Sequence, residues 1–365
     1  YHYSGQTPRS VLGVIQGKIR GLMQHSGLLM EDGGLPLGVI DQQYWTRGGA
    51  IDWPASQTES QKWFNGLAAV NQQAQASDKR WVVTGDRESD IFDFFKVPRE
   101  SNVDLLVRVH QPRRVEVTPT GAVCPLPMTR AHLDDSGHYS VQIERQVNGQ
   151  RRTVDVTLHL QAATVQVYPN KDVSPARHKT QPLSLVVATE VACVDAKSQV
   201  DCFDADTALS WSLLTSLPVK QVDDVHRIVR FYALRWRVER LHFTLKSGAL
   251  NVEKRQFDDV HTLVNALTFY SVVAWQLLGL TYALRHDPDQ PAETMFDPNE
   301  LTLLHHLAGK PVDSLRHATL ALAKLVGFAP SKKQPWPGVK VLATAIERFF
   351  FVKQGAAAVS KPLQD

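Results

Sequence analysis

Tyr232-Ala-Leu-Arg235-Trp-Arg-Val-Glu239-Arg-Leu-His242-Phe-Thr-Leu-Lys246 is the stretch on which the reading of this 365-residue chain turns. At about 100° per residue, Tyr232, Arg235, Glu239, His242 and Lys246 fall on one narrow stripe of a helix. Leu234, Val238, Leu241 and Leu245 fall on a second stripe, roughly a third of a turn away, and read as the core face. The polar stripe therefore lies beside the core, where an ordinary amphipathic helix carries apolar flanks. One carboxylate is bracketed there by cations and a phenol. A carboxylate binds a divalent metal, and cations and phenols hold phosphodiester oxygens. The competing reading is a solvated helix laced with ion pairs, in which Arg235 and Glu239 at i,i+4 contribute only a few tenths of a kcal/mol.

Charge favours the first reading. Between His226 and Gln256 there are eight Lys and Arg residues against two acids, Glu239 and Glu253, leaving net +6 in 31 residues. The whole chain is only +3. A basic run that coincides with the stripe fits a surface facing a polyanion.

Two more blocks stand upstream. WVVTGDRESDIFDFF (Trp81 to Phe95) runs from an apolar strand into Asp86-Arg87-Glu88-Ser89-Asp90, and LLVRVHQPRR carries Arg108 on the next strand. Trp211-Ser-Leu-Leu-Thr-Ser-Leu-Pro-Val219 precedes the helix. Arg87, Glu88 and Asp90 read as helix-opening residues that cap or offset a dipole, not as metal ligands.

Y-x2-R-x3-E-x6-K is the signature of the IS-four family of bacterial DDE transposases, and the other two blocks resemble that family's as well. The resemblance covers almost the whole chain. It implies an α/β fold: a ribonuclease-H-like core over residues 1–260, interrupted by an antiparallel β insertion at about 111–216. An α-helical C-terminal domain, 261–365, follows and is expected to dimerise. Asp86 matches the second catalytic Asp and Glu239 the final Glu, so both are expected to ligate Mg2+ or Mn2+. Tyr232, Arg235 and Lys246 match the residues that hold phosphates near the cleaved end. Arg108 matches an arginine that contacts transposon-end DNA. Trp211 matches a tryptophan that stacks on a base flipped out during hairpin formation, a task for an exposed indole. Alternate apolar residues in a strand more commonly pack a core, so that reading of Trp211 stays open. Phe243 stands where relatives carry a lysine, which removes one phosphate contact.

The family's first Asp lies on the opening strand. Here the chain opens on Tyr1-His-Tyr-Ser, and the first acids, Glu31 and Asp32, sit in a turn. The expectation is that the first metal ligand and the N-terminal DNA-binding domain have been cut away. The implied activity is metal-dependent cleavage at transposon ends through a hairpin intermediate, then attack of the freed 3′-hydroxyl on target DNA. The implied partners are double-stranded DNA and a second copy of the chain in a synaptic homodimer. The alternative is a catalytically incomplete regulator that dimerises with the full enzyme and inhibits it. A generic ribonuclease-H-like nuclease is disfavoured by the complete signature.

Hydrophobic residues at 43% and charged residues at 21% describe an ordinary globular chain, long enough for two domains. Three cysteines, Cys124, Cys193 and Cys202, are odd in number and form no C-x-x-C pair, which argues against a disulfide framework or a zinc site and fits a reducing cytoplasm; the resemblance implies a bacterial one, beside the nucleoid. Cys193 and Cys202 can meet across a hairpin, and they read as free thiols. Leu263 to Leu284 is 22 residues without a charge, but Asn265, Thr268, Gln276 and Tyr282 interrupt it. It reads as a buried packing helix rather than a membrane span.

Residues 11–46 read as a hairpin turning at Glu31-Asp-Gly-Gly34. A helix is expected over about 59–75, a strand at Trp81–Thr84, a helix at Ile91–Phe95 and a strand at Asp104–Val109. Asp297-Pro-x-Glu300 predicts a helix start. Phe349, Phe350 and Phe351 cover too wide an arc to face one small core.

Overall fold

The computed structural model describes residues 12–16, 19–48, 51–54, 57–169, 180–248, 250–255 and 257–360. The chain opens with β1 (Gly13–Gln16), β2 (Ile19–Gly21), β3 (Met23–Met30) and β4 (Pro36–Trp45). Helix α1 (Gln61–Ala74) leads to β5 (Trp81–Gly85) and β6 (Val103–Arg108). Then come β7 (Arg114–Thr118), β8 (Ala122–Pro125), β9 (Asp134–Val147), β10 (Gln150–Val167), β11 (Leu183–Asp195) and β12 (Ser210–Thr215). Helices α2 (Val222–Leu234), α3 (Trp236–Phe243), α4 (Val260–His286), α5 (Pro298–Ala308), α6 (Leu315–Lys324) and α7 (Val339–Ser360) complete it. The result is α/β, with a mixed sheet in the middle of the chain and a helical C-terminal region.

Two compact units form: Glu59–Arg235, and Tyr1–Thr58 together with Trp236–Asp365. The resemblance implies a boundary near residue 260. The observed one falls inside the signature, at Arg235.

In the unit 59–235 an eight-stranded sheet runs β5-β6-β12-β11-β10-β7-β8, with β9 also on β10. β5 and β6 are parallel, and the other pairs in this sheet are antiparallel. Alternation of buried and outward side chains is clearest in β10, where Val154, Val156, Leu158, Leu160 and Ala162 are all buried. They join Val225, Ile228, Val229 and Tyr232 of α2 in one core cluster. Each buried valine, leucine or isoleucine here contributes on the order of 1.5–3 kcal/mol relative to exposure. The helix expected at Ile91–Phe95 is instead two short 3-10 turns, Arg87–Ser89 and Phe92–Lys96. Pro98 pushes the residue before it out of the helical region, so no full α-helix develops there.

In the other unit the hairpin turns where expected, with β3 and β4 paired from Met23–Trp45 to Met30–Pro36. It forms its own two-stranded sheet and is tied to α4. Trp275 Nε1 donates to Pro36 O at 3.1 Å, and Gln24 Nε2 donates to Ser271 Oγ at 3.3 Å. Among the described residues α4 is the one helix long and apolar enough to cross a membrane. Leu263, Leu267, Ala274 and Leu278 serve one core cluster, and Leu277, Leu280, Ala283 and Leu284 another. Asp297 starts α5 through a reciprocal capping box, accepting from Glu300 N at 2.8 Å while Glu300 Oε2 accepts from Asp297 N at 3.2 Å. In α7 Phe349 is buried while Phe350 and Phe351 are exposed.

Candidate metal site and nucleic-acid interface

Asp86 sits at the carboxyl end of β5, one residue past the last parallel pair, Gly85–Val107. Arg108 follows Val107, so the two side chains leave neighbouring strand ends. Asp86 caps the first 3-10 turn: its Oδ1 accepts from Glu88 N at 2.8 Å, and Ser89 Oγ donates to its carbonyl at 2.7 Å. Its Oδ2 makes no hydrogen bond among the described residues. Gly85 is required at this bend, because a Cβ there would stand 2.1 Å from Ser89 Oγ. Arg108 donates from Nη2 to Ser210 O at 3.1 Å, which holds the guanidinium against β12.

The residues set aside after Asp86 divide into different roles. Glu88 is exposed and pairs with Lys62. Asp90 is buried and fully engaged. Its Oδ2 accepts from the backbone N–H groups of His110 and Gln111, both at 2.7 Å, and its Oδ1 accepts from Arg113 Nε at 2.9 Å. Arg113 Nη2 also donates to Asp90 O at 2.6 Å. This buried pair clamps the turn that bears Asp86 to the segment after Arg108. Sequence reading missed it because nothing local marks Arg113 as the partner of an acid 23 residues earlier.

The amino end of the signature is packed, not presented. Tyr232 is 2% exposed and Trp211 4%. Their rings meet edge to face, with centroids 5.1 Å apart at 68°. The expectation of an exposed indole at Trp211, and of a phenol facing phosphate at Tyr232, is corrected here. Pairing of Trp211 with Ala188 of β11 turns the indole to the face of the sheet that α2 covers. The single long helix of the sequence reading is also interrupted. α2 ends at Leu234, Arg235 N–H donates to Tyr232 O at 3.1 Å, and α3 begins at Trp236. Arg235 is half-buried.

In the other unit Leu241 and Leu245 are fully buried, as the apolar stripe requires. Glu239 and Lys246 are exposed, and Lys246 Nζ lies 3.9 Å from Glu253 Oε1. Residues Thr244–Gly248 widen into a π turn, a feature that often marks functional sites. His242 is half-buried, and burial, reinforced by the Lys246 ammonium, lowers its imidazole to about 4. It is therefore neutral at physiological pH. Arg237 lies over the Tyr282 ring at 3.9 Å, and Arg240 over Phe243 at 4.9 Å. Arg240 also lines a cleft of about 330 Å³ with Phe243, Tyr282, Arg285 and Lys340. Three cations converge there without a carboxylate among the lining residues, an arrangement suited to an anion. Arg285 and Lys340 escaped the sequence reading, since they lie 45 and 100 positions beyond Arg240.

Hard oxygen donors such as Asp86 and Glu239 suit Mg2+ or Mn2+. The two belong to different compact units. Among the described residues no group of three His, Cys, Asp or Glu side chains is placed to hold a metal. No known protein-family model matches this chain.

Proposed function

We propose that this chain carries the catalytic core of an IS-four-family DDE transposase, built on a ribonuclease-H-like fold and acting on DNA in the bacterial cytoplasm. The observation that carries the reading is the complete Tyr232-Arg235-Glu239-Lys246 signature, its acid exposed on a strongly basic helix. Asp86, at the end of a strand in a parallel pair with one carboxylate oxygen unused, supports it. So does the basic character of α3 and its surroundings.

In this reading Asp86 and Glu239 hold Mg2+ or Mn2+. Bound there, the metal would supply Lewis-acid stabilisation of the phosphodiester and activation of the attacking water. The protein's own residues do the rest. Arg108, Arg235 and Lys246 neutralise phosphate oxygens and fix the scissile strand. Asp90 and Arg113 hold the Asp86 turn rigid, so its carboxylate needs no reordering when DNA arrives. Tyr232 and Trp211 anchor the amino end of the signature helix in the core. Two exposed rings of α7, Phe350 and Phe351, are the surface we assign to the second copy in a synaptic dimer.

Manganese binding tests the reading directly. Electron paramagnetic resonance on the intact chain should show weakly bound Mn2+. Asp86→Asn and Glu239→Gln should each weaken binding. Mn2+ binding untouched by both changes would overturn the metal-ligand assignment.

A further inference from the structure

Cys193, in β11, and Cys202, on the connection that returns toward β12, bring their Sγ atoms to 3.0 Å. The backbone enforces this approach. Cys202 N donates to Cys193 O at 2.9 Å, and Val194 pairs with Asp201 in an antiparallel bridge. Asp195 N donates to Val200 O at 2.9 Å. The intervening turn is capped by Asp195, whose Oδ1 accepts from Lys197 N at 3.0 Å and Ser198 N at 2.8 Å. Directly opposed residues of an antiparallel pair have Cα atoms about 4.5–5.5 Å apart. That lies inside the span of about 4.4–6.8 Å that a disulfide bridges.

We propose that Cys193 and Cys202 form a reversible disulfide, a modification site oxidised by low-molecular-weight disulfides such as glutathione disulfide. The inference stands whether or not the transposase reading does. The half-exposed Cys202 reacts first: its thiolate attacks one sulfur of glutathione disulfide, the S–S bond breaks, and a glutathione thiolate leaves with the electron pair. Cys193 then gives up its proton and its sulfur attacks Cys202 Sγ, expelling the second glutathione thiolate. Two protein thiols lose two electrons, one glutathione disulfide gains them, and the two protons end on the released glutathiones. Burial and the neighbouring Cys202 thiol push Cys193 up to about 12, so the buried sulfur is the slow, resolving partner. Arg145 Nη1, 3.7 Å from Cys193 Sγ, favours its thiolate as it forms. Cys124, in β8, is the internal control.

Trypsin cuts at Lys197, between the two cysteines, so the bond would join peptides 180–197 and 198–220. The folded chain is incubated with glutathione disulfide, quenched with acid, alkylated and digested without reductant. The expected result is that linked pair, two hydrogens lighter than its free parts and released by dithiothreitol, with Cys124 outside the bond. Cys193→Ala should instead retain glutathione on Cys202, and Cys202→Ala should leave Cys193 unmodified. Wild-type protein in which both thiols stay open to alkylation, or in which a glutathione adduct persists on Cys202, would overturn the proposal. The wild-type measurement decides even where a cysteine variant fails to fold.

Discussion

Tyr232 and Glu239 are seven positions apart in one signature, and their environments are opposite. Tyr232 is sealed against Trp211 under α2, in the core of the sheet-bearing unit. Glu239 is exposed on α3, among Arg237 and Arg240. The same contrast recurs after β5, where Asp86 ends the strand with one carboxylate oxygen unbonded among the described residues and Asp90, four residues on, is buried against Arg113. A motif defined by residue type thus mixes groups that hold the scaffold with groups that face solvent. Substitution should separate the two kinds: one loses stability, the other loses chemistry.

The largest expected effects fall on half-buried Asp86 and exposed Glu239. On the proposed reading, Asp86→Asn and Glu239→Gln, introduced into protein that carries the full set of metal ligands and the DNA-binding domain, should each lower metal-dependent cleavage of transposon-end DNA by about two to three orders of magnitude or more, the scale of losing one transition-state stabiliser. Glu239→Gln should leave unfolding free energy within about 0.5 kcal/mol, as for other surface changes. Cleavage assays paired with urea melts on the same preparations would check this. A Glu239 variant that unfolds easily while retaining specific activity would reverse the assignment.

The buried members should behave the other way. Tyr232→Ala and Trp211→Ala each remove an aromatic ring from a packed core and should cost about 3–5 kcal/mol. Asp90→Ala strands a buried guanidinium and should cost a similar ~3–5 kcal/mol. Denaturant midpoints measure all three. A Trp211→Ala protein of wild-type stability with impaired hairpin formation would restore the indole to a base-stacking role.

Phosphate contacts predict a smaller and different signature. Arg235→Ala and Lys246→Ala should each reduce the slope of log affinity against log salt by about one unit. Fluorescence anisotropy with duplex DNA from 50 to 200 mM salt, about the range over which such contacts are lost, provides the readout. Unchanged slopes in both would return α3 to a surface of ordinary ion pairs.

The mildest effect concerns His242. Its folded imidazole titrates at about 4, below its ordinary value, because burial and Lys246 disfavour the charged form. The folded state therefore binds this proton less readily than the unfolded chain does. Its contribution to stability is complete above the unfolded value near 6.5 and declines as pH falls through that value toward 4. Nuclear magnetic resonance titration should show the ring neutral throughout the physiological range. Lys246→Met should move its midpoint upward.

Much of the local structure was legible from residue order. Four apolar or β-favouring residues running into Asp86 marked a strand end, and Glu31 to Gly34 marked the hairpin turn. Asp297 with Glu300 marked the start of α5. Three consecutive phenylalanines required that some remain outside the core, and Phe351 is 66% exposed. These features depend on propensity, capping and periodicity, which act over a few residues. Whether a side chain in the signature faced solvent or core was not local. Tyr232 is buried because β12, preceding it, pairs with β11 and carries Trp211 beneath α2. Asp90 is a clamp because Arg113 reaches it from beyond the end of β6. Arg240 shares a cleft with Arg285 and Lys340 because α3, α4 and the start of α7 converge. Residue type and spacing alone named the acids and cations to which the proposed chemistry is assigned. Packing between distant segments decided which of the named residues are buried, because burial is a property of the neighbours that a fold brings together.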